Sequence, residues 1–144
     1  MMKKRNHQIY LFRKFPHDVQ NDVFNLLIQK GKDTSFGIDH QFKNIKTISD
    51  FCKYVPIRTY EELFPYIKRV RNNEKNVLWP GNVNWFAKSS GTTNDKSKYI
   101  PISKESLEEC HYKGGKDMLS LYCNNFPETN LYNGKGLMLG GSLE

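Results

Sequence analysis

Four hydroxyl side chains, one glycine and one lysine crowd into the eight positions Ser89-Ser90-Gly91-Thr92-Thr93-Asn94-Asp95-Lys96, and Ser97-Lys98 extend the run. Hydroxyls and backbone N–H groups donate hydrogen bonds to phosphate oxygens, and a lysine supplies the charge that holds them. The chemistry this set suits is a grip on the phosphates of a nucleoside triphosphate. Val83-Asn84-Trp85-Phe86-Ala87 leads into the run and Tyr99-Ile100-Pro101-Ile102 leads out. The layout predicts a loop hung between two short buried strands, Trp85–Lys88 and Tyr99–Ile102.

A P-loop of the form GxxxxGK(S/T) is excluded, because its second glycine, counted from Gly91, falls on Lys96. A polar hairpin, with Asn94-Asp95 as the turn and the hydroxyls bonded locally to backbone, stays open. So does a hydroxyl-rich phosphate loop. The residues alone do not separate these two.

Other elements must position the loop. Pro16-His17-Asp18 opens a helix to about Lys30, with Val19, Val23, Leu26 and Leu27 on one stripe and Gly31 as its stop. Thr34-Ser35-Phe36-Gly37 reads as a turn or loop. A short helix follows Ser49 as N-cap, with Phe51 and Tyr54 inward, and Pro56 ends it. Thr59-Tyr60-Glu61-Glu62 is a capping box opening a helix to about Arg71, which Pro65 should kink or whose first turn it should split off. Asn72–Asn76 is a polar loop and Pro80-Gly81 a turn. Ser103 caps a long helix over residues 104–124. Gly114-Gly115 within it implies either close packing or a local break. Leu137-Met138-Leu139 reads as a buried strand ending at Gly140-Gly141-Ser142.

The chain of 144 residues, with 38% hydrophobic and 13% aromatic content, suits one folded unit. Its net charge of +7 could signal a polyanion partner, but the basic residues lie scattered apart from Lys3-Lys4-Arg5. A solvated basic surface is the favoured reading, and nucleic acid is not. Three widely spaced cysteines (Cys52, Cys110, Cys123) argue against a disulfide framework or zinc site. The histidines form no metal-ligand spacing, so no metal ligands are assigned. No apolar run approaches membrane-spanning length, and no signal-peptide core is present. A reduced, soluble, cytoplasmic protein without a membrane partner is expected.

The loop also resembles the first motif of the auxin-responsive promoter family of acyl-acid-amido synthetases, a branch of the adenylate-forming superfamily. That motif looks like SSGT(S/T)xGxxKxxP. Here Ser89-Ser90-Gly91-Thr92-Thr93, Lys98 and Pro101 stand in register. Val55-Pro56-Ile57-Arg58-Thr59-Tyr60-Glu61-Glu62-Leu63 and the region Gln20–Gly37 are similar to the family as well. Asp95 departs from the pattern, which has glycine; aspartate tolerates the left-handed backbone less well and adds negative charge.

The resemblance implies an incomplete α/β fold. Residues 1–76 would be mainly helical, and 77–144 would run strand-loop-strand-helix-strand within a larger adenylate-forming domain. It implies an N-terminal fragment, inactive alone, of a ligase using ATP and Mg2+. A carboxylic acid would be adenylated and its acyl group passed to an amine such as an amino acid. Ser89, Ser90, Thr92 and Thr93 would donate to the β- and γ-phosphates, and Gly91 would admit the backbone. Lys98 would carry the compensating charge, with Lys96 its rival and an exposed strand-edge lysine the alternative. No catalytic base is named. A nucleotide- or acyl-binding module without catalysis is the alternative function.

Overall fold

The computed structural model describes residues 2–89, 97–131 and 133–136. The chain opens with two helices, α1 (Met2–Lys14) and α2 (Pro16–Gly31). Phe15 separates them, at φ −128° and ψ 57°. The pyrrolidine ring of Pro16 disfavours helical geometry at the preceding residue, while its own fixed φ suits a first helical position. One residue thus ends one helix and starts the next.

Helix α2 ends at Gly31, where the sequence placed its stop, but not through a left-handed glycine cap. Gly31 is helical and buried, and Lys32 after it stays right-handed at φ −59°. The glycine serves contact instead: a Cβ there would lie 3.0 Å from the Phe42 ring.

Helix α1 carries no clean apolar stripe, and nothing in its sequence pattern announced it. It packs on α6 (Lys113–Asn125), and the Arg5 guanidinium forks onto both carboxylate oxygens of Asp117, one of them at 2.6 Å. Those hydrogen bonds, then the charge itself, hold the Asp117 carboxyl below its ordinary value of 3.8. A depressed carboxylate contributes stability above its unfolded value and loses it as the pH falls through its native one. Asp117→Asn should therefore destabilise the chain at neutral pH by about 1–2 kcal/mol, a typical cost for a partly buried charged hydrogen bond. In urea melts, the gap between variant and parent should close only at pH values below 3.8.

Thr34-Ser35-Phe36-Gly37, expected as a turn, instead begins a short helix, α3 (Ser35–Asp39). Thr34 caps it, accepting from the Gly37 N–H at 3.0 Å and donating to the Gly31 carbonyl at 2.7 Å. The Ser35 and Phe36 N–H groups donate to the carbonyls of Asn76 and Val77, at 2.8 and 3.0 Å. Orphan donors of a first turn are thereby satisfied by a distant loop.

In α4 (Ile48–Tyr54) the N-cap is Thr47, not Ser49. Thr47 and Asp50 form a reciprocal capping box, which fixes the start two residues earlier than expected. The helix α5 (Tyr60–Arg71) begins at the expected capping box of Thr59 and Glu62. Pro65 sits inside it, yet the helix runs as one element from Tyr60 to Arg71. Beyond α5, Asn73 and Asn76 take left-handed φ values of 61° and 56°. Gly81, at φ 77°, donates its N–H to the Asn76 side chain at 2.7 Å and closes that turn.

Val70, Val77 and Val83 form a buried cluster, with Tyr66, Leu78, Trp79 and Phe86 packed against it. This core ties the end of α5 to the strand β1 (Trp85–Lys88), which pairs antiparallel with β2 (Tyr99–Ile102). Both strands have the bounds the sequence predicted, but they are not the buried strands expected: Trp85 and Ile100 are exposed, and the pair stands as a two-stranded sheet among the described residues. Ser103 then caps the next helical stretch, accepting from the Ser106 N–H at 3.0 Å.

The long helix is present, but not as one α-helix. Residues Ser106–Tyr112 are wound as a π-helix before α6 begins at Lys113. A Cβ on Gly114 or Gly115 would meet nothing within 4 Å, so close packing among the described residues does not account for the pair. The helix does not break there either; the widened turns immediately precede the glycines.

Mostly helical, with one two-stranded sheet, the described chain is consistent with part of an α/β domain. The strand expected at Leu137-Met138-Leu139 and the turn Gly140-Gly141-Ser142 lie outside the described residues. Among the described residues no helix is long and apolar enough to cross a membrane.

Candidate functional site

The β1–β2 register pairs Trp85 with Ile102, Phe86 with Pro101, Ala87 with Ile100 and Lys88 with Tyr99. One further pair closes the ladder. The Ser89 N–H donates to the Lys98 carbonyl at 2.9 Å, and the Lys98 N–H donates to the Ser89 hydroxyl, also at 2.9 Å. Ser89 Oγ thus stands where a backbone carbonyl would accept in a regular ladder. A hydroxyl has two acceptor lone pairs and one proton. Accepting from the Lys98 N–H uses one lone pair and does not consume the hydroxyl proton.

Ser89 and Lys98, nine positions apart in sequence, therefore face each other across the stem. Both are half-buried. The remaining candidate residues Ser90, Gly91, Thr92 and Thr93 lie outside the described residues, as do Lys96 and Asp95.

The stem is held from below by α5. Tyr60, its first residue, accepts from the Tyr99 N–H at 3.0 Å through its phenolic oxygen, which also lies 3.4 Å from the Tyr99 carbonyl as a donor. The Lys98 ammonium sits over the Tyr60 ring, 5.6 Å from its centroid. At the other end of α5 the Arg71 guanidinium stacks on the Tyr99 ring at 4.2 Å. Two cations thus flank the start of β2, each on a tyrosine face, an arrangement the ring quadrupole favours. In the sequence, Tyr60 stands out only as part of a capping box. Its 39-position separation from Tyr99 hid the contact.

A second set of polar contacts ties the region after β2 to the core. The Trp79 indole N–H donates to Glu105 at 3.0 Å. The Glu105 carboxyl is held below its ordinary range chiefly by a hydrogen bond from its own backbone N–H, with Trp79, Lys30 and Ser103 adding to it against the opposing effect of burial.

His40 is buried but fully engaged. Nδ1 lies 2.8 Å from the Phe36 carbonyl and Nε2 3.1 Å from the Arg58 guanidinium. Since a guanidinium only donates, Nε2 accepts from Arg58 and Nδ1 donates to the Phe36 carbonyl, a structural role for the ring. Among the described residues no group of three or more His, Cys, Asp and Glu side chains could hold a metal ion.

Residues 5–142 match the model of the GH3 family N-terminal domain. The chain belongs to the GH3 family. Indole-3-acetic acid-amido synthetase GH3.6 of Arabidopsis thaliana is 29% identical over 92 residues, which are 63% of this chain and 15% of that protein. Indole-3-acetic acid-amido synthetase GH3.2 of the same plant is 28% identical over 128 residues, 85% of this chain and 22% of its own length. Jasmonoyl--L-amino acid synthetase JAR4 of Nicotiana attenuata is 28% identical over 92 residues, 62% of this chain and 16% of its own. The GH3 chain thus spans between 15% and 22% of these relatives. The resemblance to acyl-acid-amido synthetases, read from the loop and its flanks, holds across nearly all of the sequence.

Proposed function

We propose that this GH3 chain is the N-terminal portion of an ATP-dependent acyl-acid-amido synthetase and supplies one half of its nucleotide site. The observation that carries the reading is the Ser89–Lys98 stem, which closes the hydroxyl-rich loop at the two ends of its motif. Family membership and the names of the relatives support it.

In this reading a carboxylate oxygen attacks the α-phosphorus of ATP. The α–β bridging bond breaks, and pyrophosphate leaves with the electron pair. The amine of an amino acid then attacks the acyl carbon of the acyl-adenylate, expelling AMP and losing a proton. Such chemistry depends on positioning and on neutralising charge at the phosphates. Ser89, Ser90, Thr92 and Thr93 donate to the β- and γ-phosphates, Gly91 lets the backbone approach, and Lys98 offsets the charge. The half-buried stem suits a phosphate grip, since a lysine and a serine hydroxyl stand together at the loop's mouth. Magnesium would accompany the nucleotide. The described residues hold no cluster to ligate it, so none of the steps assigned to this chain runs through the metal.

The test is ATP–pyrophosphate exchange, measured on this chain and on the product of the whole reading frame that contains it. Indole-3-acetate and jasmonate serve as probe acids, because relatives are named for them. Acid-dependent exchange by the whole product, with none from residues 1–144 alone, is the expected result. Nucleotide binding by the whole product without exchange, whatever the acid, would instead make this a binding module.

A further inference from the structure

We propose that Tyr60 is a positioning residue for the phosphate site, fixing both the spacing of the loop's stem and the direction of the Lys98 ammonium; this rests on the reading of the stem as half of a nucleotide site. Tyr60 does two separable things. Its hydroxyl takes the Tyr99 N–H at 3.0 Å, next to the Ser89–Lys98 pair, and so pins β2 to the start of α5. Its ring lies under the Lys98 ammonium at 5.6 Å.

The first contact occupies an outward-facing backbone donor. Lys88 and Tyr99 are ladder partners, and β2 has no other strand beside it among the described residues. The phenol oxygen completes the hydrogen bonding of Tyr99 where a third strand would otherwise do so. The second contact restricts a long, flexible side chain with four rotatable bonds. A lysine ordered over an aromatic face loses less freedom when an anion arrives than one sampling solvent, and preorganisation of that kind raises affinity. The α5 capping box of Thr59 and Glu62 sets where Tyr60 starts the helix, so the clamp stands on a fixed element.

The two functions come apart by substitution. Tyr60→Phe keeps the ring beneath Lys98 and removes the hydroxyl; Tyr60→Leu removes both. The experiment follows the Ser89 and Lys98 amide resonances of the whole 144-residue chain during titration with Mg·ATP, beside thermal melts. Thr47→Ala, which weakens the distant α4 cap, serves as a stability control.

Relative to the parent chain, Tyr60→Phe should weaken Mg·ATP about 3- to 10-fold, as loss of one hydrogen bond does, and Tyr60→Leu roughly 10- to 50-fold. The ring-current shift of the Lys98 side-chain methylenes should survive in Tyr60→Phe and vanish in Tyr60→Leu. Thr47→Ala should lower the melting temperature and leave Mg·ATP affinity unchanged. Parent binding at the stem with both Tyr60 variants binding equally well would overturn the positioning role alone. So would affinity losses that merely track melting temperature, Thr47→Ala included. No response of the parent's stem to Mg·ATP would overturn the nucleotide-site reading, and the positioning role with it.

Discussion

Gly37→Ala should abolish the native packing of α2 against α3 and cost about 3 kcal/mol or more, the range of a backbone clash in a packed interior. A Cβ built on Gly37 lies 2.0 Å from the Gly31 carbonyl oxygen and 2.9 Å from its carbon. These are backbone atoms, so no rotamer change relieves the contact. That oxygen cannot retreat cheaply, since it also accepts from the Thr34 N–H at 3.0 Å and the Thr34 hydroxyl at 2.7 Å. Thr34 in turn caps α3 through the Gly37 N–H. The added methyl therefore strikes a knot of hydrogen-bonding groups, not a loose surface. Loss of a cooperative melt, or a midpoint lowered by many degrees, is the expected readout. A melt unchanged from the parent would mean that α3 does not pack on α2 as described.

The second large effect concerns chemistry rather than stability. Lys98→Met keeps most of the side chain's bulk over the Tyr60 ring while deleting its charge. Charged hydrogen bonds to phosphate are worth more than neutral ones, so affinity for Mg·ATP should fall about 10- to 100-fold. The stem should stay closed, because the backbone groups of Lys98 that close it are retained. Lys98→Arg should recover part of the affinity by returning the charge. If Lys98→Met binds like the parent, Lys98 is a strand-edge lysine and the compensating charge lies elsewhere.

Much of the frame around the candidate site was legible in the chain because its signals are local. The strands at Trp85–Lys88 and Tyr99–Ile102 were marked by apolar residues on either side of a polar run, and the Thr59 box by residues three apart. What escaped notice depends on distant partners. Helix α1 lacks amphipathic order of its own and leans on α6 through Arg5 and Asp117, which are 112 positions apart. Thr34-Ser35-Phe36-Gly37 has the composition of a turn, and becomes a helix because Asn76 and Val77 accept its free N–H groups. Ser49 and Thr47 are both plausible caps by type. Asp50 decides for Thr47 by bonding back to its N–H at 2.9 Å. Gly31 has the composition of a helix stop, and its use as a contact surface for Phe42 becomes visible only in three dimensions. Tyr60 is the same lesson at the candidate site: the hydroxyl-rich run is local in sequence, and the tyrosine that bonds Tyr99 beside its stem is 39 positions away.

The most direct measurement is a titration of the isotopically labelled chain with Mg·ATP, pyrophosphate and adenosine, read at the Ser89 and Lys98 amides. A stem that closes a phosphate loop should move with ATP and with pyrophosphate and stay still with adenosine, saturating at or below about 10 mM, the weak binding that the proposed half-site implies. Equal shifts with adenosine, or no movement of either amide with any of the three, would contradict a phosphate site between Ser89 and Lys98.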